Sequence, residues 1–264
     1  MLIGKPGAAR TAIAAASSDR VTVRGRDLAR DLMGAVTFTD YAFLLATGRV
    51  PTDDQRFFLD LSLVALAEHG LTPSVQAARM TYDADPAALQ GAIAAGVLGC
   101  GTVILGAADL CRRVIEDVLS RADAFGSLDA AALAVARDHR QERKALPGYG
   151  HPLHKPVDPR AERMIELARE RGIAGRSVEA ALALTRAAAE VWGKPLPMNV
   201  SMTIAATLRD VDVPPGLIRA VPILARTAGL IAHCIEEAET PIGFLMASKG
   251  EEAIAHTADA DGVA

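Results

Sequence analysis

Period-two alternation of apolar and polar positions is nearly absent from this chain, and only Val21 to Arg24 has the look of a short strand. Helix punctuation, by contrast, recurs almost without a break. Thr52 with Gln55 has the spacing of a capping box, whose reciprocal side-chain bonds satisfy orphan amides ahead of the apolar positions Phe58, Leu61, Leu63 and Leu66. Thr72-Pro73, Asp85-Pro86 and Asp158-Pro159 each set a capping side chain before a proline, which costs nothing at the first helical position because its missing N–H has no partner there. Ser127 and Ser177 open two more stretches rich in Ala and Leu, and Pro214-Pro215 precede a last long helix running to about Glu237. The pattern predicts an all-α fold with short connections, in which abundant Ala and Gly let helices approach closely.

Gly91 to Cys111 tests that picture, because its 21 residues carry only Asp109 as a charge, about the length that spans a bilayer. Five glycines (Gly91, Gly96, Gly99, Gly101, Gly106) make the stretch weakly hydrophobic, and no basic flank sets a topology, so it is read as a buried central helix and no membrane partner is expected. Half of the 264 residues are hydrophobic, enough for a substantial core. The expected organisation is a loose tail over 1–20, a large helical domain from 21–105 and 193–255, a small helical domain inserted over 106–192, and a second tail over 256–264. The 28 basic and 32 acidic residues are spread along the chain without a basic stripe, which argues against nucleic acid as a partner. Cys100, Cys111 and Cys234 lie in apolar helical stretches without CxxC spacing or a nearby histidine at metal-ligand spacing; they are read as reduced core cysteines of a cytoplasmic protein, and no metal is expected.

The least ordinary segment is Leu146-Pro147-Gly148-Tyr149-Gly150-His151-Pro152, a loop stiff at its ends and bare in its middle. Bare backbone lets a ligand approach amides closely, Tyr149 offers a flat face and His151 can exchange a proton near neutral pH; the plain alternative is a turn with a surface histidine. Arg160 stands in the first turn of the helix opened by Asp158-Pro159, where the macrodipole disfavours a cation. Either an anion lies nearby or Arg160 pairs with Asp158. Arg219, Arg226 and His233 recur at seven-residue spacing among Ile223, Leu224, Leu230 and Ile231, which is either merely the solvated face of the last helix or, since Arg226 has few charged neighbours, a face with a buried anionic partner.

With these residues in view, Pro147-Gly-Tyr-Gly-His151 through Lys155 to Asp158-Pro159-Arg160-Ala161 resembles the GYGH or GFGH loop and following DPRA of the citrate synthase superfamily. Val23-Arg24-Gly25-Arg26-Asp27-Leu28 looks like its RGYDI-type segment, and Leu44-Leu45 to Gly48-Arg49-Val50-Pro51-Thr52 like its LLxGxxPT. Glu68-His69-Gly70-Leu71-Thr72-Pro73-Ser74 is similar to the EHGL segment of citryl-CoA lyases, and Ala225-Arg226-Thr227-Ala228-Gly229-Leu230-Ile231-Ala232-His233 to the RTxGxIAH helix. The resemblance implies a citrate synthase-like multi-helical fold, a homodimer, and an enzyme that takes a coenzyme A thioester as substrate and makes or cleaves a carbon–carbon bond between an acyl-CoA and a 2-keto acid. It also implies that His151 polarises the keto or hydroxyl oxygen, that His69, Arg160 and Arg226 hold carboxylates, and that Gly148, Tyr149, Gly150 and Lys155 contact coenzyme A.

Two departures from the family pattern bear on the chemistry. Where relatives carry the HGGA histidine that hydrogen-bonds the thioester oxygen, this chain aligns Ile104-Leu105-Gly106-Ala107, and the aspartate of their NVD segment, which removes the acyl α-proton, becomes Ser201 in Asn199-Val200-Ser201. The RP pair that lends an arginine across the dimer is Thr240-Pro241. A serine hydroxyl is a weak base unless activated, and each general acid or base is worth about 10²- to 10⁴-fold, so three readings stand: a citryl-CoA lyase-type enzyme with non-standard catalytic residues, a related CoA-ester lyase with another substrate and base, and a non-catalytic acyl-CoA or carboxylate-binding paralogue or partner subunit.

Overall fold

The computed structural model describes residues 10–150 and 154–254. The chain opens on a small antiparallel sheet, β1 (Ala14–Ala16), β2 (Val21–Val23) and β3 (Arg26–Asp27), in that order. The β2–β3 turn is Arg24-Gly25, both with positive φ, the two-residue geometry whose twist matches paired strands. Arg24 then donates from Nε and Nη2 to the Leu45 carbonyl at 3.0 and 2.6 Å, fixing the sheet to the first helix. The strand expected at Val21 is therefore present; Ala14–Ala16, expected as tail, supplies its partner.

Eleven α-helices follow among the described residues: α1 (Phe38–Thr47), α2 (Asp53–Ala67), α3 (Pro73–Ala84), α4 (Leu89–Leu105), α5 (Ala107–Phe125), α6 (Leu128–Gln141), α7 (Pro159–Glu170), α8 (Arg176–Trp192), α9 (Val200–Asp210), α10 (Pro215–Glu239) and α11 (Gly243–Ala253). The all-α expectation holds. The Thr52–Gln55 capping box forms as the spacing demands, Ser127 caps α6, and Asp158 caps α7 with Pro159 in its first turn. Thr72 precedes Pro73 at the start of α3, but its hydroxyl bonds Ser74 rather than a backbone amide.

Three expected boundaries move. Asp85 ends α3 and Pro86 lies in the turn that follows, so α4 starts at Leu89. Ser177 lies inside α8 rather than ahead of it, because that helix is capped from a distance: Asp210, the last residue of α9, accepts the amides of Gly175, Ser177 and Val178 at 2.9–3.0 Å. The long helix after Pro214 is not the last. Glu237 turns its carboxylate onto the Ile242 and Gly243 amides and so starts α11, while its other oxygen takes the buried Arg79 guanidinium.

The Gly91–Cys111 stretch is two helices, α4 and α5, and α4 is interrupted at Gly101, whose φ of 55° only glycine adopts freely. It is also not a buried central helix. Ala92, Gly96 and Cys100 form one buried stripe against α3 and α10, where a Cβ on Gly96 would meet Leu230 at 2.7 Å and the Ser74 carbonyl at 2.9 Å; the opposite side leaves Leu98 80% exposed. The central helix is α9, with Met202 to Leu208 all buried. Met202, Ala205 and Ala206 pack with Cys111, Ile115, Val135 and Leu184 of α5, α6 and α8, whereas Val200, Ile204 and Leu208 pack with Phe43, Phe58, Met164 and Ile218 of α1, α2, α7 and α10. Burying Met202, Ile204 and Leu208 contributes about 1.5–3 kcal/mol each, well above the tenths of a kcal/mol lost to Thr and Ile in helical conformation. The Thr203 and Thr207 hydroxyls are satisfied by the Val200 and Thr203 carbonyls. All three cysteines are buried and unbridged, and burial pushes the Cys111 thiol up to about 12, which makes it inert packing.

Asp210→Ala removes the acceptor for three amides at once. The expected loss is about 1–2 kcal/mol, read as a lower urea midpoint by circular dichroism at unchanged slope; an unmoved midpoint would mean water caps α8 equally well.

Candidate functional site

The glycine loop is built from the core outward. Leu146 is buried, and the Tyr149 ring packs against the α5–α6–α8–α9 cluster, its hydroxyl donating to the Ala181 carbonyl at 2.5 Å. Burial pushes that phenol well above its ordinary pKa. Tyr149 therefore anchors the loop, and its hydroxyl faces inward rather than toward a ligand. Gly148 has a φ of 83°, and a Cβ there would stand 2.7 Å from the Met202 Cβ and 2.8 Å from the Cys111 sulfur, so its bareness is required by α9 and α5. The loop is zipped to the segment before α9: Asn199 N–H donates to the Gly148 carbonyl at 2.9 Å, Gly150 N–H to the Pro197 carbonyl at 2.7 Å, and Asn199 Nδ2 to the Gly150 carbonyl at 3.2 Å. Around Gly150 the space a side chain would take is open. His151 lies outside the described residues, as do Pro152 and Leu153.

Where the chain resumes, Lys155 is exposed and Asp158 is fully buried. One Asp158 oxygen accepts the Arg160 amide and Nε at 3.1 and 3.0 Å; the other accepts Arg160 Nη2 at 2.9 Å and the Val200 amide at 3.1 Å. Burial alone would raise this carboxyl, but the guanidinium and the two amides outweigh it and hold its pKa below the ordinary value. Of the two readings of Arg160, the pairing with Asp158 is the one found. Arg160 nevertheless keeps donors to spare, and Nη1 reaches the Ala65 carbonyl in the last turn of α2 at 3.4 Å.

The end of α2 and the middle of α10 complete the arrangement. A Cβ on Gly229 would collide with the Ala67 carbonyl, so only glycine lets α10 cross α2 this closely. The crossing sets His233 beside Glu68, whose Oε2 lies 2.9 Å from His233 Nε2 and whose Oε1 accepts the His69 and Gly70 amides at 2.8 and 2.6 Å. Burial raises Glu68, yet these donors prevail and hold it below its usual value. Arg79 of α3, almost fully buried, lies 3.0 Å from His233 Nδ1; a guanidinium only donates, so His233 accepts at Nδ1 and gives its Nε2 proton to Glu68. His69, held by this clamp, places Nε2 3.2 Å from Nε2 of His154, with the rings perpendicular. Burial, then Arg160, His154 and Arg226, push the His69 pKa down against Asp158.

Arg226 is 7% exposed, and its Nε and Nη1 have no hydrogen-bond partner among the described residues. The guanidinium is thus buried, and its charge acts on the His69 ring. Arg219, at the same seven-residue spacing, is exposed and does not join it. Ile104 lies in the last turn of α4 at 45% exposure, and Ser201 sits in the first turn of α9, its hydroxyl without a hydrogen-bond partner among the described residues. His154 and Arg79 were missed by motif. Arg79, though, falls on the Val75–Ala78–Tyr82 stripe of α3, and a charge on an apolar face is itself a signal.

A family model described as the citrate synthase C-terminal domain matches residues 51–243. A putative citrate synthase 2 of Mycobacterium tuberculosis (strain ATCC 25618 / H37Rv) is 32% identical over 187 residues, covering 68% of this chain and 47% of that protein. A citrate synthase of Synechocystis sp. is 28% identical over 207 residues, 75% of this chain and 50% of that one. The chain spans about half the length of the curated relatives it matches. Among solved structures, citryl-CoA lyase from Hydrogenobacter thermophilus matches with a TM-score of 0.78 and 29% identity over 89% of this chain and 88% of that one. ATP citrate lyase from Methanothrix soehngenii, in complex with citrate and coenzyme A, matches in fold with a TM-score of 0.73 and 21% identity, covering 90% of this chain and 40% of that one.

Because the folded Asp158 pKa is depressed, its stabilisation is present above the unfolded value near 3.9 and is lost as pH falls through the folded value. Asp158→Asn is expected to cost up to about 3–5 kcal/mol at pH 7, less to the extent that Arg160 rehydrates, with the gap to wild type closing below about pH 4. Urea midpoints across pH 3–7 measure it; a gap constant with pH would refute the ionic role.

Proposed function

This chain belongs to the citrate synthase family, and from that premise we propose that it binds an acyl-CoA and a 2-keto dicarboxylate and makes or breaks the carbon–carbon bond between them, as citryl-CoA lyase does in converting citryl-CoA to acetyl-CoA and oxaloacetate. The observation that carries this reading is Arg226. A guanidinium desolvated without a partner costs several kcal/mol, and a substrate carboxylate docking bidentately on Nε and a terminal nitrogen recovers it. Arg160, whose charge acts on His69, is assigned with it to a second carboxylate, the open backbone at Gly150 and the exposed Lys155 suit the coenzyme A side, and His151 is assigned to the reacting oxygen.

Cleavage requires the carbinol hydroxyl to lose its proton as its electrons form the keto group, while the pair from the broken carbon–carbon bond becomes the acetyl-CoA enolate and takes up a proton. His151 is assigned the first transfer. The second has no donor in Ile104, and the Ser201 hydroxyl has no base to activate it among the described residues. That specific gap also favours a second reading, in which the chain binds acyl-CoA and carboxylate without turning them over, as partner to an active homologue. A third reading keeps the site and changes the ester: a related CoA-ester lyase whose base is different.

Incubating the purified protein with citryl-CoA, and separately with acetyl-CoA in D₂O, distinguishes these. Release of acetyl-CoA and oxaloacetate with methyl exchange supports the enzyme; calorimetric binding of oxaloacetate and coenzyme A without either supports the binding subunit; absence of all three overturns the family chemistry here. Arg226→Ala is expected to weaken oxaloacetate binding about 10- to 100-fold, the worth of a hydrogen-bonded charge.

A homodimer is part of the same reading. Leu98 of α4, Ile231 and Ile235 of α10, and Phe244 and Leu245 of α11 leave apolar surface exposed, Phe244 at 74%. Sedimentation equilibrium is expected to return twice the chain mass of 27.6 kDa; a monomer at micromolar concentration would refute it.

A further inference from the structure

His154 is given no role by the family assignment, yet its ring meets the His69 ring edge to face. Nε2 faces Nε2 at 3.2 Å, a distance for one N–H···N hydrogen bond. Two hydrogens cannot occupy that gap. One ring must therefore carry its proton at Nε2 while the other presents a lone pair there, and the contact survives uptake of one further proton but not of two. The pair is consequently a one-proton unit, neutral or singly positive, for as long as it is intact.

What surrounds it decides which of the two states prevails. Arg160 on α7 and Arg226 on α10 bring two permanent positive charges, and both disfavour a charged imidazole at His69. The carboxylates nearby are committed: Asp158 to Arg160 and the Val200 amide, and Glu68, at the end of α2, to His233 of α10 and two amides. Among the described residues, the combined push of Arg160, Arg226 and Asp158 on His69 is against its charged form. A dianionic ligand on Arg226 reverses it, and a hydrogen-bonded pair with capacity for one proton is then next to two negative charges.

We propose that His154 is a positioning residue for His69, and that the two imidazoles act as one unit that takes up a proton when a dicarboxylate fills the site. This rests on the carboxylate-binding reading of Arg226 and adds to it what holds His69 and how binding depends on pH. The hydrogen-bond partner of His69 is a ring on the segment that leads into α7, so that segment and the end of α2 are joined through this contact.

Two measurements test it separately. Long-range ¹⁵N–¹H spectra of the imidazoles in the ligand-free protein are expected to show one donor and one acceptor Nε2 for His69 and His154, with the His69 signal shifted in His154→Leu; two independent, rapidly exchanging tautomer patterns overturn the pair whatever the ligand does. Titration calorimetry with oxaloacetate in buffers of different ionisation enthalpy then counts protons. Wild type is expected to take up as much as about one proton above pH 7, with affinity falling by up to tenfold per pH unit, and the double variant His69→Gln/His154→Gln to take up about none. His154→Leu is expected to bind about tenfold more weakly, with His154→Gln, whose amide can still donate to His69, restoring most of the loss. Binding by wild type without proton uptake, or equal affinity in His154→Leu, overturns the proposal. Failure of wild type to bind oxaloacetate overturns the carboxylate reading and the linkage together, while leaving the spectra to decide the pair.

Discussion

The buried carboxylate of Asp158 is the constraint on which most of the site depends. It has four donors, from the guanidinium and amide of Arg160 and from the amide of Val200, and so starts α7, holds the first turn of α9 and neutralises a cation that the α7 dipole would otherwise repel. Since α9 is the helix shared by both main hydrophobic clusters, one side chain connects the core to the loop ahead of α7. Electrostatics and packing are here the same interaction. Removing the charge would free the helix starts that position Arg160 and the segment carrying His154.

A second assembly arrives from the opposite direction. Gly229 lets α10 lie against the last carbonyls of α2, and the closeness puts Glu68, His233 and Arg79 into one hydrogen-bonded chain ending at the backbone of His69. Arg79 continues it to Glu237, which starts α11. Side chains from α3, α10 and the α2 terminus therefore agree on where His69 stands. Preorganisation of this kind matters for carboxylate recognition, because a clamp built in advance leaves little ordering to be done on binding.

Much of this was legible in the residues, and the misses have physical causes. Local rules worked where the partner was local: the Thr52–Gln55 box, the Ser127 cap and the Asp158-Pro159 start need only neighbours three residues away. They failed where the partner was distant. Ser177 lost its cap role to Asp210, which no window around residue 177 contains, and Asp85-Pro86 ended a helix instead of starting one because packing of α3 against α4 outweighs a dipeptide preference. Arg226 was readable as a cation on an apolar helix face, and its orphaned nitrogens agree. At the glycine loop the packing reasons are likewise distant in sequence, since Gly148 is bare for Met202 and Cys111, and Tyr149 faces the core. Composition made Gly91 to Cys111 look buried, but apolar content does not say which face of a helix its neighbours cover.

The unpartnered nitrogens of Arg226 have a consequence beyond recognition. A folded chain that carries a desolvated charge is less stable than its fold permits, and whatever neutralises that charge completes the interior as a missing side chain would. A ligand bound only by the native state adds about 2.7 kcal/mol at a hundred times its dissociation constant, a large share of the 5–15 kcal/mol by which domains are ordinarily stable. On the proposed carboxylate reading, turnover of such a protein by proteases follows the supply of that ligand, the molecule persisting where it is plentiful and being cleared where it is scarce.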